Sequence, residues 1–289
     1  MPQNDTASDP DGAEERTALR QLIAVATRLD PVQIELLSEV AQTMLRQVEE
    51  TINPASDFVT ARFAANFRNR LLIHHATNEA KLSKKAFEYA FKGACEADGK
   101  AGLITISDTF SGVDVTIDGI RFSLKTEAWK GIRADKLAIS KFTEARWIQQ
   151  FFTLEDLARE AARRIPDHLS QYDRIVVLRA RDVSATRLLY ELVEIPRAVL
   201  GSVAALTAAD FTARTAQGSS SARATFDGRP AFTLRLDGSD GKITIAGLQM
   251  AFCIRHASWI IPTVAPAPED APASVEQGLL SPPQPPPGD

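Results

Sequence analysis

The chain reads as an α/β protein, a mixed β-sheet flanked by helices with a helical segment at its N-terminal end. Three observations predict this. Gly112–Glu127 alternates apolar and polar residues about an Asp118-Gly119 pair, the signal of a tight hairpin whose two turn positions need positive φ. Apolar residues at helical spacing precede that hairpin. Short runs rich in Val, Ile and Leu follow it and are separated by a further helical pattern. The order helix, hairpin, strand, helix, strand is that of a mixed sheet.

The elements follow in order. Met1–Glu15 is polar, lacks an apolar pattern and is expected to be disordered, so the first sixteen residues are read as a tail. A helix is predicted from Thr17 to about Leu29. Asp30-Pro31 then supplies an N-cap followed by proline at the first helical position. The helix it opens carries Ile34, Leu37, Val40, Ala41, Met44 and Val48 and stops before Asn53-Pro54. Glu79–Ala97 is predicted helical, with Leu82, Ala86, Tyr89, Ala90 and Gly93 as its inner stripe. Lys136–Lys141, Arg174–Arg179 and Arg187–Ile195 read as strands. Thr143–Ile165 reads as a helix ending before Pro166, and Pro196–Leu206 as another. Ala231–Leu236 and Lys242–Ile245 form a second hairpin, and a last apolar segment ends at Ile261-Pro262. One domain over residues 17–262 is expected, with residues 263–289 a Pro-rich solvated tail.

Composition narrows the partners. The chain has 289 residues, 44% hydrophobic and 24% charged, ordinary for a soluble globular protein. It shows neither a secretory signal nor a membrane-length apolar run, so a cytoplasmic protein is expected. Cys95 and Cys253 lie in no CxxC pair, which argues against a thiolate zinc site and for free buried thiols. The bias toward Arg and Ala is compatible with a GC-rich bacterial genome. The net charge of −4 is unevenly spread. Residues 1–60 carry four basic and eleven acidic side chains, a net of −7. Residues 61–260 carry 29 basic and 22 acidic ones, a net of +7, and the rest carries −4. A basic body between acidic ends keeps a nucleic-acid partner open.

The hairpin suggests a chemistry. A two-residue turn places Ile117 opposite Ile120 and therefore Asp114 opposite Ser123, with Lys125 diagonal to Asp114. Arg121, Ser123, Lys125 and Glu127 share one face. A carboxylate beside an ammonium suits metal-dependent phosphodiester hydrolysis. The reaction needs an activated water and neutralised phosphate charge, which Mg²⁺ held by one or two carboxylates supplies. Asp114 would be the fixed metal ligand and Lys125 the group orienting the attacking water. The usual motif has an acid two residues before the lysine, where this chain has Ser123. Glu88, on the preceding helix, or Glu127, two residues past the lysine, would complete the site. Competing readings are plain. A solvated hairpin presents the same polar face, and Lys81, Lys84, Lys85 and Lys92 give Glu88 ordinary helical ion-pair partners. His74-His75 suggests one structural and one functional histidine, since adjacent residues of an extended chain point apart. His256 reads as a core or interface residue and His168 as a loop residue.

The segments RLLIHH, KAFEYAF, VDVTIDGIRFSLKTEAWKGI, ISK, YDRIVVLR, YELVEIP and ITIAGLQMAFCIRHASWIIP, in this order from Arg70 to Pro262, resemble the SmaI-type restriction endonucleases. Both tails and Leu200–Arg229 lie outside the resemblance. It implies a restriction-endonuclease-like core of the PD-(D/E)xK kind. It also implies a homodimer on double-stranded DNA and Mg²⁺-dependent cleavage within CCCGGG, with blunt ends. No membrane and no nucleotide cofactor enter. The family pattern falls on Asp114 and Lys125, and on glutamates at Glu88 and Glu127. A G·C-only site calls for donors to guanine, each bidentate pair worth about 1–3 kcal/mol of discrimination. Arg174, Arg179, Arg255, His74 and His75 are the candidates. The alternatives are a repair or mobile-element nuclease of the same fold, a DNA-binding protein that has lost its chemistry, and an unrelated α/β protein whose hairpin is merely solvated.

Overall fold

The computed structural model describes residues 10–105 and 112–263. The expectations for the tails therefore lie outside the described residues, except that residues 10–16 already belong to the first helix. In chain order the elements are α1 (Pro10–Ala26), α2 (Pro31–Met44), β1 (Glu49–Ile52), α3 (Ala61–Thr77), α4 (Lys84–Ala97), β2 (Gly102–Ile104), β3 (Val115–Ile117), β4 (Ile120–Glu127) and β5 (Lys136–Glu144). After a 3₁₀ turn come α5 (Leu154–Leu169), β6 (Arg174–Ser184), β7 (Arg187–Ile195), α6 (Arg197–Gly201), β8 (Ser220–Phe226), β9 (Arg229–Asp237), β10 (Lys242–Gln249) and β11 (Ile254–Pro262). No helix among the described residues is long and apolar enough to cross a membrane.

Two sheets result. Seven strands run β1-β11-β7-β6-β4-β3-β2, and four run β5-β10-β9-β8. Only β4 and β6 pair in parallel, so the large sheet is mixed. One of its faces packs Val115, Ile117, Phe122 and Leu124 against Phe63, Phe67, Phe87 and Phe91 of α3 and α4. The other packs Ile175, Val177, Val193 and Ile195 against α5 and the inner face of the small sheet. The large sheet is thus covered on both sides, whereas hairpin alternation alone suggested one polar, open face.

Local chemistry sets the boundaries. Asp30 accepts the Gln33 amide at 2.9 Å while the Gln33 side chain accepts the Asp30 amide at 3.0 Å, a reciprocal capping box. Thr60, Ser83 and Thr153 cap α3, α4 and α5 through their hydroxyls. The cap at Ser83 starts α4 five residues later than its apolar pattern suggested. Its buried side comprises Phe87, Ala90, Phe91 and Ala94, and Tyr89 points out, 57% exposed. Asp118 (φ 47°) and Gly119 (φ 83°) form the expected turn, and the register Ile117↔Ile120 follows. Helix α2 stops at Met44 because the chain leaves to make the edge strand β1. Residues 143–144 finish β5, and α5 continues through Pro166, which lies in its last turn and so forfeits one interior hydrogen bond there. The mostly polar α3, missed in the element reading, is buried through Phe63, Phe67, Leu71 and Leu72.

Two histidines are buried neutral. His75 takes a hydrogen bond at Nε2 from the Tyr190 hydroxyl (2.9 Å) and donates from Nδ1 to the Asn78 carbonyl (3.2 Å). Burial, reinforced by the charge of His74, lowers its pKa to about 4. Burial and the charge of Lys125 do the same for His168, also to about 4. Both are free to protonate near 6.5 in the unfolded chain, so the unfolded state binds more protons between these values and stability drains as pH falls through that window. Urea unfolding between pH 6.5 and 4.5 should show a loss approaching about 2.7 kcal/mol per pH unit, two protons' worth. A flat profile there would show that the rings are protonated in the fold.

Candidate active site

The Asp118-Gly119 turn brings Asp114 back alongside β4. The Asp114 amide donates to the Phe122 carbonyl at 2.9 Å, and its Oδ2 accepts the Leu124 amide at 2.7 Å. One carboxylate oxygen is therefore fixed by the backbone and the other, Oδ1, is left to face the cleft. Helix α4 supplies the opposite wall. Lys84 and Glu88 are four residues apart and share its surface. Lys84 Nζ lies 2.6 Å from Asp114 Oδ1 and 3.0 Å from Glu88 Oε1, while Lys85 Nζ takes Glu88 Oε2 at 2.9 Å. One ammonium thus joins two carboxylates from separate elements, and it marks a point where both place positive charge.

These groups line a cleft of about 750 Å³ together with Lys125, Lys141 and His168. Its third wall is β5, from Ile139 to Glu144. Lys125 has no ion-pair or hydrogen-bond partner among the described residues. Burial lowers its pKa below the ordinary 10.5, opposed by the Asp114 charge and aided by that of Lys84. Lys84 moves the other way. Burial lowers it, but its hydrogen bonds and attraction to Asp114 and Glu88 outweigh that and hold it above 10.5. Ser123 is fully buried with an unpartnered hydroxyl and offers no charge. His168, expected in a loop, sits near the end of α5 with its ring between Phe142 and Tyr172.

The remaining candidates lie elsewhere. Glu127 is 1% exposed and does not line the cleft. Its Oε2 accepts from Arg179 Nε at 2.5 Å and its Oε1 from the Ala138 amide at 2.9 Å. Arg179, wholly buried, also donates to Glu191 Oε2 and to the carbonyls of Arg133 and Lys136. Every nitrogen of its guanidinium is engaged, so none is left for a base edge. Arg174 is spent on Asp57 (2.8 Å, twice) and Glu194 and stacks on Phe58. His74 donates to the Ala80 carbonyl at 2.8 Å. Both histidines occupy the last turn of α3 rather than an extended segment, and they pin the α3–α4 connection. His256 is buried between Glu194 and Ser56, as its apolar surroundings suggested. Of the five base-reading candidates only Arg255 keeps an exposed side chain, half of it, with Nε held by Glu191 at 2.7 Å.

Lys84 is the residue that sequence reasoning missed. It appeared only as an ion-pair neighbour of Glu88, although the four-residue spacing puts both on one helix face. Both cysteines are free thiols, with Cys95 buried, and burial pushes each up to about 12.

A cleft joining a hairpin aspartate, a helix glutamate and lysines suits the handling of a phosphodiester, and the comparisons decide its family. The model of the SmaI type II site-specific deoxyribonucleases matches residues 22–261. The chain belongs to this family. It is also 32% identical over 224 residues to the type II restriction enzyme SmaI of Serratia marcescens, covering 73% of this chain and 85% of that enzyme. No solved structure matches. As a SmaI-family member the chain is a DNA-cleaving hydrolase, and double-stranded DNA is what it acts on.

The placement of Glu127 gives a test. Removing one member of a buried ion pair costs about 3–5 kcal/mol. Glu127→Ala should therefore lower unfolding free energy by that order in a denaturant titration. Asp114→Ala, at a half-exposed site, should cost far less. Equal stability of Glu127→Ala and the parent would return Glu127 to the catalytic candidates.

Proposed function

We propose that this chain is a type II restriction endonuclease that cuts a palindromic G·C-only hexamer, CCCGGG, to blunt ends with Mg²⁺ as cofactor and two copies per site. The convergence of Asp114 and Glu88 on one ammonium supports the metal-dependent reading most directly. No group of three or more His, Cys, Asp or Glu side chains suited to a metal occurs among the described residues. That excludes a dedicated protein cage but fits Mg²⁺, which keeps several waters and takes one or two carboxylates plus phosphate oxygens. Asp114 Oδ1 and Glu88 would hold it. When bound there it supplies charge neutralisation at the scissile phosphate and a more acidic water.

The chain's own groups do the rest. The Leu124 amide fixes the Asp114 carboxylate, so that its free oxygen keeps one orientation through the reaction. Lys125, without a partner and partly dehydrated, is positioned to orient the attacking water and to offset charge growing on the phosphorane. Lys84 would leave the carboxylates for a phosphate oxygen when DNA enters. Lys141 on β5 lines the facing wall, where it pairs with Glu144 at 2.5 Å. Ser123 contributes no carboxylate, and Glu88 takes that place. The SmaI relative's name supports sequence-specific restriction over repair or mobile-element processing. For base readout, Arg255 has its terminal nitrogens available to guanine.

Plasmid incubated with the protein and Mg²⁺ should yield discrete fragments ending within one hexamer, and none with EDTA. Asp114→Ala and Lys125→Ala should each lower the cleavage rate by at least about 100-fold, the scale of losing one electrostatic catalytic group. Gel-shift affinity should stay near that of the parent. Near-normal cutting by either variant removes that residue from the mechanism. Nicking without sequence preference favours a repair role, and a shift without cleavage favours a binding protein.

A further inference from the structure

The first two helices carry apolar surface that nothing in the chain covers. Helix α2 rests on α3 through Thr43, but α1 packs on no other element to a comparable extent, and none of its described side chains is buried. Leu19, Leu22 and Ile23 on α1, and Ile34, Leu37 and Met44 on α2, are 37% to 56% exposed. Their spacings of three and four residues are those of a helix-packing seam rather than of scattered surface residues. Six such side chains, half exposed, amount to roughly 500 Å² of apolar surface, at the upper end of what a monomer leaves contiguous. With their flanks they approach the roughly 800 Å² per partner of a stable dimer.

Charge selects the occupant. Arg16 and Arg20 form a basic ridge along α1, and Glu35 and Glu39 an acidic ridge along α2. None of the four has an ion-pair partner among the described residues, although they lie on consecutive helices. A surface with a basic helix and an acidic helix side by side is self-complementary under a two-fold axis: α1 of one copy meets α2 of the other, twice. A lipid surface or an acidic or basic peptide would match only one of the ridges.

We propose that α1 and α2 form the dimerisation surface of this enzyme, pairing with the same two helices of a second copy as a four-helix bundle. This rests on the restriction reading above, in which a palindrome is cut by two copies, but its test does not depend on cleavage. Sedimentation velocity of the full chain at micromolar concentration, without DNA, should show a dimer. Two charge-reversed proteins are then made, Arg16→Glu with Arg20→Glu, and Glu35→Arg with Glu39→Arg. Each alone sets like charges against each other and should self-associate at least about tenfold more weakly, several exposed pairs of a few tenths of a kcal/mol each being lost and inverted. Mixed, they should recover a heterodimer near parental affinity. All four positions are exposed, so folding is not at stake. Leu22→Glu should give a monomer that nicks plasmid rather than cutting both strands. A monomeric parent, reversed proteins that dimerise like the parent, a mixture that fails to recover, or a dimeric Leu22→Glu would each overturn the proposal. Dimerisation as described in a protein that never cleaves DNA would overturn the nuclease mechanism alone.

Discussion

Arg179 is the point through which the two sheets are fixed to each other. It is fully buried on β6 of the large sheet, with Glu127 beside it on β4 and Glu191 beside it on β7. Its far nitrogen reaches the carbonyls of Arg133 and Lys136, and Glu127 takes the Ala138 amide, so the start of β5 is clamped onto the face of the large sheet. A buried ion pair is seldom a net source of stability, because desolvation offsets attraction. What this one supplies is position. The small sheet carries its clamped strand as the third wall of the cleft, and Lys141 with it.

Within the cleft the balance of charge is local. Two carboxylates face three lysines, and each lysine is treated differently. Lys84 is held between Asp114 and Glu88 and keeps its proton more firmly than usual, whereas Lys125 is dehydrated without a direct partner and releases its proton more easily. The same two acids thus support one cation tightly and leave another poised. A divalent ion between the acids would displace Lys84 toward phosphate and bring a stronger field near Lys125, so the lysines and the metal are parts of one electrostatic unit.

What the sequence disclosed was whatever depends on near neighbours. The Asp118-Gly119 turn dictated its own register, and Asp30-Pro31 announced the start of α2. The resemblance around the hairpin named the right family. What it hid was set by distant chain. Residues 136–249 cover the hairpin's polar face, so parity put Glu127 beside Lys125 while the small sheet buries it against Arg179 instead. Arg174 and Arg179 looked like free basic groups because their acids, Asp57, Glu127, Glu191 and Glu194, are brought in by pairing and loop packing that no local pattern encodes. Helix α3 was overlooked because its sequence is largely polar, although Phe63, Phe67, Leu71 and Leu72 recur at helical spacing.

The account stands on Asp114 and Glu88 acting together as the seat of one divalent cation. Titration of Mn²⁺ into the protein, followed by its electron paramagnetic signal, addresses this without cleavage. Binding should be lost in both Asp114→Asn and Glu88→Gln. Unaltered binding by Glu88→Gln would contradict it.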